Sequence, residues 1–216
     1  AYINDLLLNT LYYFRIKAVN VLGIVYGDEQ TFTLWMNYPG PQVTDIDGTT
    51  YNSVRTGSQI WMTENLKVTR YQNGDPILKI TDSLTWVNNT IGAYCDYNYD
   101  STLAETYGHL YNFHAVEDSR KLCPAGCHVP SVDVWQYELS YFLDQGGNRS
   151  NLLMKEAGTA HWVWDIGATN VSGFTALPGG YFDFENTKNF KSLGYMAYWW
   201  SSRGGDLAWA FGMFDV

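Results

Sequence analysis

Residues 130 to 147, PSVDVWQYELSYFLDQGG, carry the clearest helical spacing in the chain. Pro130 ends an extended stretch, Ser131 is a favoured N-cap, and Gly146 and Gly147 stop the pattern. Between them Val132, Trp135, Leu139, Phe142 and Leu143 recur at the period of an amphipathic helix. From Trp162 to Val216 the apolar segments are short and separated by Gly-rich turns, which reads as strands. Between Tyr71 and Tyr107 the chain is rich in Asn, Asp, Gly and Tyr and reads as long structured loops, with a short helix at GHLYNFHAV. Strands, one or two helices and strands again predict an α+β fold.

Residues 1–34 form a separate unit. In LYYFRIKAV, Tyr12, Phe14, Ile16 and Ala18 alternate with Tyr13, Arg15 and Lys17, the period of a half-buried strand. Turn residues Asn20 to Gly23 follow, and EQTFTL is a second strand. Two strands bury too little apolar surface to stand alone. The stretch LLLNTLYYFRIKAVNVLGIVYGDEQTFTL resembles the last two strands of a fibronectin type III domain, about a third of one, with Tyr12 as its tyrosine corner. That resemblance implies an incomplete β-sandwich whose hairpin is completed by strands removed before Ala1 or supplied by another chain. Residues 35–43 are a Pro/Gly linker, and the second domain spans 44–216.

CPAGCHVPSVDVW, residues 123–135, has the look of a reactive site but lacks the partners for one. A structural zinc site needs four N or S ligands, and Cys123, Cys127 and His128 offer three. Haem attachment and thioredoxin-type chemistry need two residues between the cysteines, and three stand here. No Gly-x-Ser-x-Gly elbow is present, and His109, His114, His128 and His161 follow no metalloprotease spacing. Asp45 and Asp47 lack the further oxygens of a calcium loop and read as a hairpin turn with Gly48. Asp183 and Glu185 read as one solvated strand face. In HWVW, Trp162 and Trp164 are expected on one face of a strand, and Trp199 and Trp200 on opposite faces. The expectation is a protein that is not an enzyme and holds no metal or other cofactor.

The charge balance narrows the partners. Thirteen basic residues against 22 acidic ones give a net charge of -9, which repels nucleic-acid phosphates and anionic lipid. No apolar run is long enough to insert in a membrane. Aromatic residues make up 17% of the chain, including 17 Tyr and 9 Trp, and lysines are few. With a start at Ala1 and no leader pattern, this composition points to a mature or trimmed extracellular or cell-surface protein.

Several stretches, in order, carry a resemblance to one family: TDIDGTTYNSVRTGSQIWMTENLKVTRYQNGDPI, AYCDYNYD, TYGHLYNFHAV, LCPAGCHVPSVDVW, ATNVSGFTALPGGY and GYMAYWWSS. Together they resemble the Fibrobacter succinogenes major paralogous domain, found mainly in surface and secreted proteins of Fibrobacteres and Bacteroidetes, often behind fibronectin-like modules. The pattern is also similar to C-type-lectin-like folds, including formylglycine-generating-enzyme-like and phage receptor-binding domains. The resemblance implies twisted antiparallel sheets with one or two helices and long loops. It implies no common enzymatic activity: the formylglycine-generating type needs a cysteine pair or metal ligands in its C-terminal half, and no cysteine follows Cys127. Two departures stand out. Cys127 occupies a position where the family usually has tryptophan, and the family continues well past YWWSS toward a final strand that is expected to be missing or altered where the sequence reads FGMFDV.

The family pattern further implies a Cys95–Cys123 disulfide, closing a loop of about 28 residues and worth about 3 kcal/mol in the chain-entropy model. A ligand is expected on the face built by the C-terminal loops, at Phe182, Asp183, Tyr195, Tyr198 and Trp209. Asn88, Asn148 and Asn170 fit the N-glycosylation triplet, and Ser83 and Ser101 resemble Bacteroidetes O-glycosylation sites. The function these features imply is adhesion, recognition or assembly, with a protein or glycan at a cell surface as partner. The alternatives are a structural subunit of a filament or layer, self-assembled through partner strands, and, by fold analogy alone, an enzyme of the formylglycine-generating type.

Overall fold

The computed structural model describes residues 10–33, 37–146, 150–164, 167–202 and 210–214. The expected N-terminal pair of strands is one long hairpin with a kink. Strand β1 (Leu11–Phe14) and β2 (Lys17–Asn20) form one arm, and β3 (Gly23–Tyr26) and β4 (Gln30–Thr33) the other. Phe14 pairs with Gln30 and Lys17 with Tyr26, so two residues of one arm face three of the other. This is a β-bulge, closed by a 2.9 Å bond from the Gly27 N–H to the Ile16 carbonyl. Ile16, Val19, Val21, Leu22, Ile24 and Val25 all face solvent.

Next in order come β5 (Asn37–Pro39), β6 (Val43–Thr44), β7 (Thr50–Tyr51), β8 (Ser53–Thr56) and β9 (Gln59–Met62). Part of the stretch expected as linker is therefore built into the sheets: β5 pairs with β8, and β6 begins at Val43, ahead of Thr44. Strands β5, β8 and β9 form a three-stranded antiparallel sheet, and β6 pairs with β7 around the turn at Gly48. Asp45 and Asp47 are spent inside the protein. Asp45 accepts bonds from the Thr49 N–H and the Tyr51 hydroxyl, both 2.8 Å, and Asp47 accepts from Thr69.

The middle holds more helix than its composition predicts. After β10 (Leu78–Lys79) come α1 (Ser83–Asn88), β11 (Ala93–Cys95), α2 (Ser101–Tyr107), β12 (Leu110–Tyr111) and α3 (Phe113–Val116). Asp82, Asp100 and Asn112 each accept a bond from a backbone N–H of the following turn, at 2.8, 2.9 and 3.0 Å. Such caps satisfy amides that a short helix leaves open.

The main helix forms where expected, as α4 (Val132–Gly146), with the Ser131 hydroxyl accepting from the Val134 N–H at 3.3 Å. It is followed by α5 (Ser150–Met154), β13 (Gly179–Asp183), β14 (Asn189–Leu193), β15 (Met196–Trp200) and β16 (Ala210–Phe214). Strands β13 and β14 pair antiparallel, as do β15 and β16. The architecture is α+β.

Helix α4 presents Trp135 to a core of Val54, Trp61, Met154, Trp162, Phe174, Ala197 and Met213. The Trp135 ring lies 4.6 Å from Trp61 and 4.7 Å from Phe211, so a single indole joins the helix to β9 and β16. Two further clusters share β11. Tyr94 faces Val68, Tyr71, Ile77, Tyr111 and Leu122, while Ala93 and Cys95 face Ile80, Trp86, Tyr97, Phe182 and Phe190. Successive strand residues point to opposite sides, so three residues wall two cores. HWVW departs from the expected strand: Trp162 is buried, its indole N–H 2.9 Å from the Ala176 carbonyl, whereas Trp164 is exposed.

Candidate functional site

The C-terminal hairpins carry an exposed aromatic surface. Trp164 is 59% exposed, Tyr195 42%, Tyr198 40% and Phe214 39%. Tyr198 packs edge-on against Tyr181 of β13, with ring centroids 5.2 Å apart, and against Phe214 of β16 at 5.8 Å. Its cross-strand partner is Gly212, where an added Cβ would fall 2.9 Å from the Tyr198 ring. The glycine lets the tyrosine lie flat over the neighbouring strand. Three positions earlier, Tyr195 meets Trp164 edge-on at 5.9 Å. A 2.9 Å bond from the Val163 N–H to the Gly194 carbonyl holds that pair together. Gly194 has φ +84°, and a Cβ there would crowd Val163. Ring faces and edges held in place by their neighbours suit flat, amphipathic partners.

Of the residues expected at this face, Tyr195 and Tyr198 are present and exposed. Phe182 is not available: its position in β13 points inward, and its ring packs on Phe190 at 5.1 Å. Asp183 is not available either. It is buried at the last position of β13, accepting from the Asn186 N–H (3.0 Å) and the Thr187 hydroxyl (3.0 Å), with the Lys191 ammonium 3.2 Å away. The backbone donors and then Lys191 and Thr187 pull its carboxyl far below the usual range. Glu185 lies in the turn beyond the strand, so it shares no strand face with Asp183. Trp209 lies outside the described residues. Trp164, Tyr181 and Phe214 were missed, because strand alternation placed Trp164 beside the buried Trp162.

A second constellation joins β10, β11 and β12. Asp96 is fully buried; its Oδ1 lies 2.7 Å from His109 Nδ1 and its Oδ2 2.8 Å from Lys79 Nζ. Burial lowers the His109 pKa, and the hydrogen bond to Asp96 opposes that shift. The Lys79 pKa is raised by Asp96. The carboxylate fixes the imidazole with Nδ1 towards Asp96, and the ring packs against Tyr94 at a 42° tilt, centroids 4.5 Å apart. Sequence spacing shows only that His109 belongs to no metalloprotease motif, and it gives no sign of its partner. The pairing becomes visible only once β11 and β12 lie side by side.

The expected Cys95–Cys123 bridge is not present; all three cysteines are free thiols. Cys95 faces the core of Phe182 and Phe190, whereas Cys123 follows Leu122, which packs in the cluster on the other side of β11. Burial pushes the Cys95 thiol well above its ordinary range. Among the described residues no three His, Cys, Asp or Glu side chains are grouped to hold a metal ion. No described helix is long and apolar enough to cross a membrane.

Of the modification sites, Asn88 and Ser101 are exposed, and Ser83 is half-buried against the Tyr99 hydroxyl. Asn170 spends its amide on Thr175, accepting from the N–H at 2.9 Å and donating to the hydroxyl at 2.8 Å. Asn148 lies outside the described residues.

Residues 54–212 match the model of the Fibrobacter succinogenes major domain. No curated protein and no solved structure matches the chain.

Proposed function

The chain belongs to the Fibrobacter succinogenes major domain family, and from that premise we propose that it is a non-catalytic extracellular module for recognition or adhesion, binding a glycan or protein at a cell surface. The observation that carries this reading is two exposed aromatic pairs beside and within the C-terminal strands, Trp164 with Tyr195 and Tyr198 with Phe214. Exposed aromatics cost solubility when they have no partner, and they stack well on sugar rings or anchor protein contacts. In the finer reading, residues 44–216 take a C-type-lectin-like arrangement behind a fibronectin type III-like hairpin. Glycan arrays and pulldowns from surface extracts test it. Binding is expected and is expected to weaken about tenfold or more with Trp164→Ala or Tyr198→Ala, as for anchoring aromatics. Unchanged binding by both variants overturns it.

The apolar side chains exposed along β1–β3 favour a second reading, a filament or layer subunit in which a second copy supplies covering strands. Light scattering across a concentration series decides it. Association lost on replacing Val19 and Val25 with threonine supports it, and a monomer at every concentration rejects it.

A further inference from the structure

Cys127 is the thiol that neither the fold nor the aromatic surface uses. It ends a tight turn: its N–H donates to the Pro124 carbonyl at 3.0 Å, and Gly126 turns the chain with φ +84°. A turn of this kind brings its first and last Cα atoms within about 7 Å. Cys123 is the residue immediately before Pro124, so the two thiols flank the turn. Both are partly exposed, unlike Cys95. The segment is tied down on either side. The Gln72 N–H donates to the Lys121 carbonyl at 2.9 Å, and the Ser202 N–H donates to the Pro130 carbonyl at 2.8 Å. Leu122 and Pro124 are buried. Burial pushes the Cys123 thiol up to about 12, and the neighbouring Cys127 adds to that rise. Cys123, Pro124 and Ala125 line a cavity of about 210 Å³ with Asp45, Val68 and Arg70.

We propose that Cys123 and Cys127 form a redox pair that closes into a disulfide across the Pro124–Cys127 turn, leaving Cys95 as a buried thiol. The oxidant is a small-molecule disulfide. The Cys127 thiolate attacks one of its sulfurs, forming a mixed disulfide and releasing one small thiol. The Cys123 thiolate then attacks Cys127 Sγ, the protein disulfide forms, and the second small thiol leaves. Two protein thiols are oxidised by two electrons, and their two protons appear on the two small thiols. The closed form stiffens the turn that walls the cavity and leads into α4.

The chain's own cleavage sites make the test clean. Trypsin cuts after Lys121 and Arg149, placing Cys123 and Cys127 on one peptide and Cys95 on another. The protein is equilibrated with oxidised glutathione, alkylated without denaturant, digested and weighed. The expected result is an unlabelled peptide 122–149, lighter by about 2 Da than its dithiol form, with Cys95 labelled only after denaturation. In Cys127→Ser, Cys123 is expected to end as a mixed disulfide with glutathione. A Cys95–Cys123 linkage, alkylation of both turn cysteines after oxidation, or a disulfide-linked dimer overturns the proposal.

Discussion

His109 Nδ1 lies 2.7 Å from Oδ1 of Asp96, a carboxylate with no exposed surface. Lys79 closes the other side at 2.8 Å, so one buried anion joins β10 to the segment entering β12. Removing the anion leaves a cation and an imidazole facing an uncompensated site. Asp96→Ala is expected to cost about 2–4 kcal/mol, less than a wholly buried pair because Lys79 is partly solvated. Urea denaturation checks it.

The same site sets a pH dependence. Burial holds the folded pKa of His109 below the ordinary histidine value of 6.5, so the unfolded chain takes up the proton first. Its contribution is therefore complete above about pH 6.5 and is lost as pH falls through that value. Melting curves between pH 8 and about 5 are expected to show this fall, and His109→Gln is expected to flatten it. Asp183 acts lower. Its depressed pKa gives stability present above the ordinary value of 3.8 and lost as pH falls below it.

Two tryptophans separate core from surface. Trp135→Ala is expected to cost about 3–5 kcal/mol, since its ring bridges Trp61 and Phe211. Trp164→Ala is expected to change stability by no more than about 0.5 kcal/mol. Thermal and chemical denaturation of the two variants side by side checks the contrast.

Asn112 tests the capping account of the middle segment. Its Oδ1 accepts from the Ala93 and Ala115 N–H groups, both 3.0 Å, and its Nδ2 donates to the Ile91 carbonyl at 2.8 Å. Asn112→Ala is expected to cost about 1–2 kcal/mol, with Asn112→Asp recovering part of it. Denaturation midpoints measure both.

Helix α4 was legible because its cap, period and stop agree within 18 residues. The short helices were not. Each holds four to seven residues, too few for a period, and their Asp and Asn caps looked like loop residues. The aromatic face was half legible. Tyr195 and Tyr198 follow from their places beside and within β15, but Phe182 and Asp183 depend on where the β13–β14 turn falls, which long-range pairing sets. The Asp96–His109 pair spans 13 residues across two strands and has no local signature.

Recognition through the exposed aromatics is put to the test by a glycan and surface-extract array probed with the wild-type chain and a Trp164→Ala, Tyr195→Ala, Tyr198→Ala variant. The wild type is expected to give a saturable signal that the variant loses, with both proteins melting within a few degrees of each other. Equal binding by the two folded proteins, or none by the wild type, would contradict it.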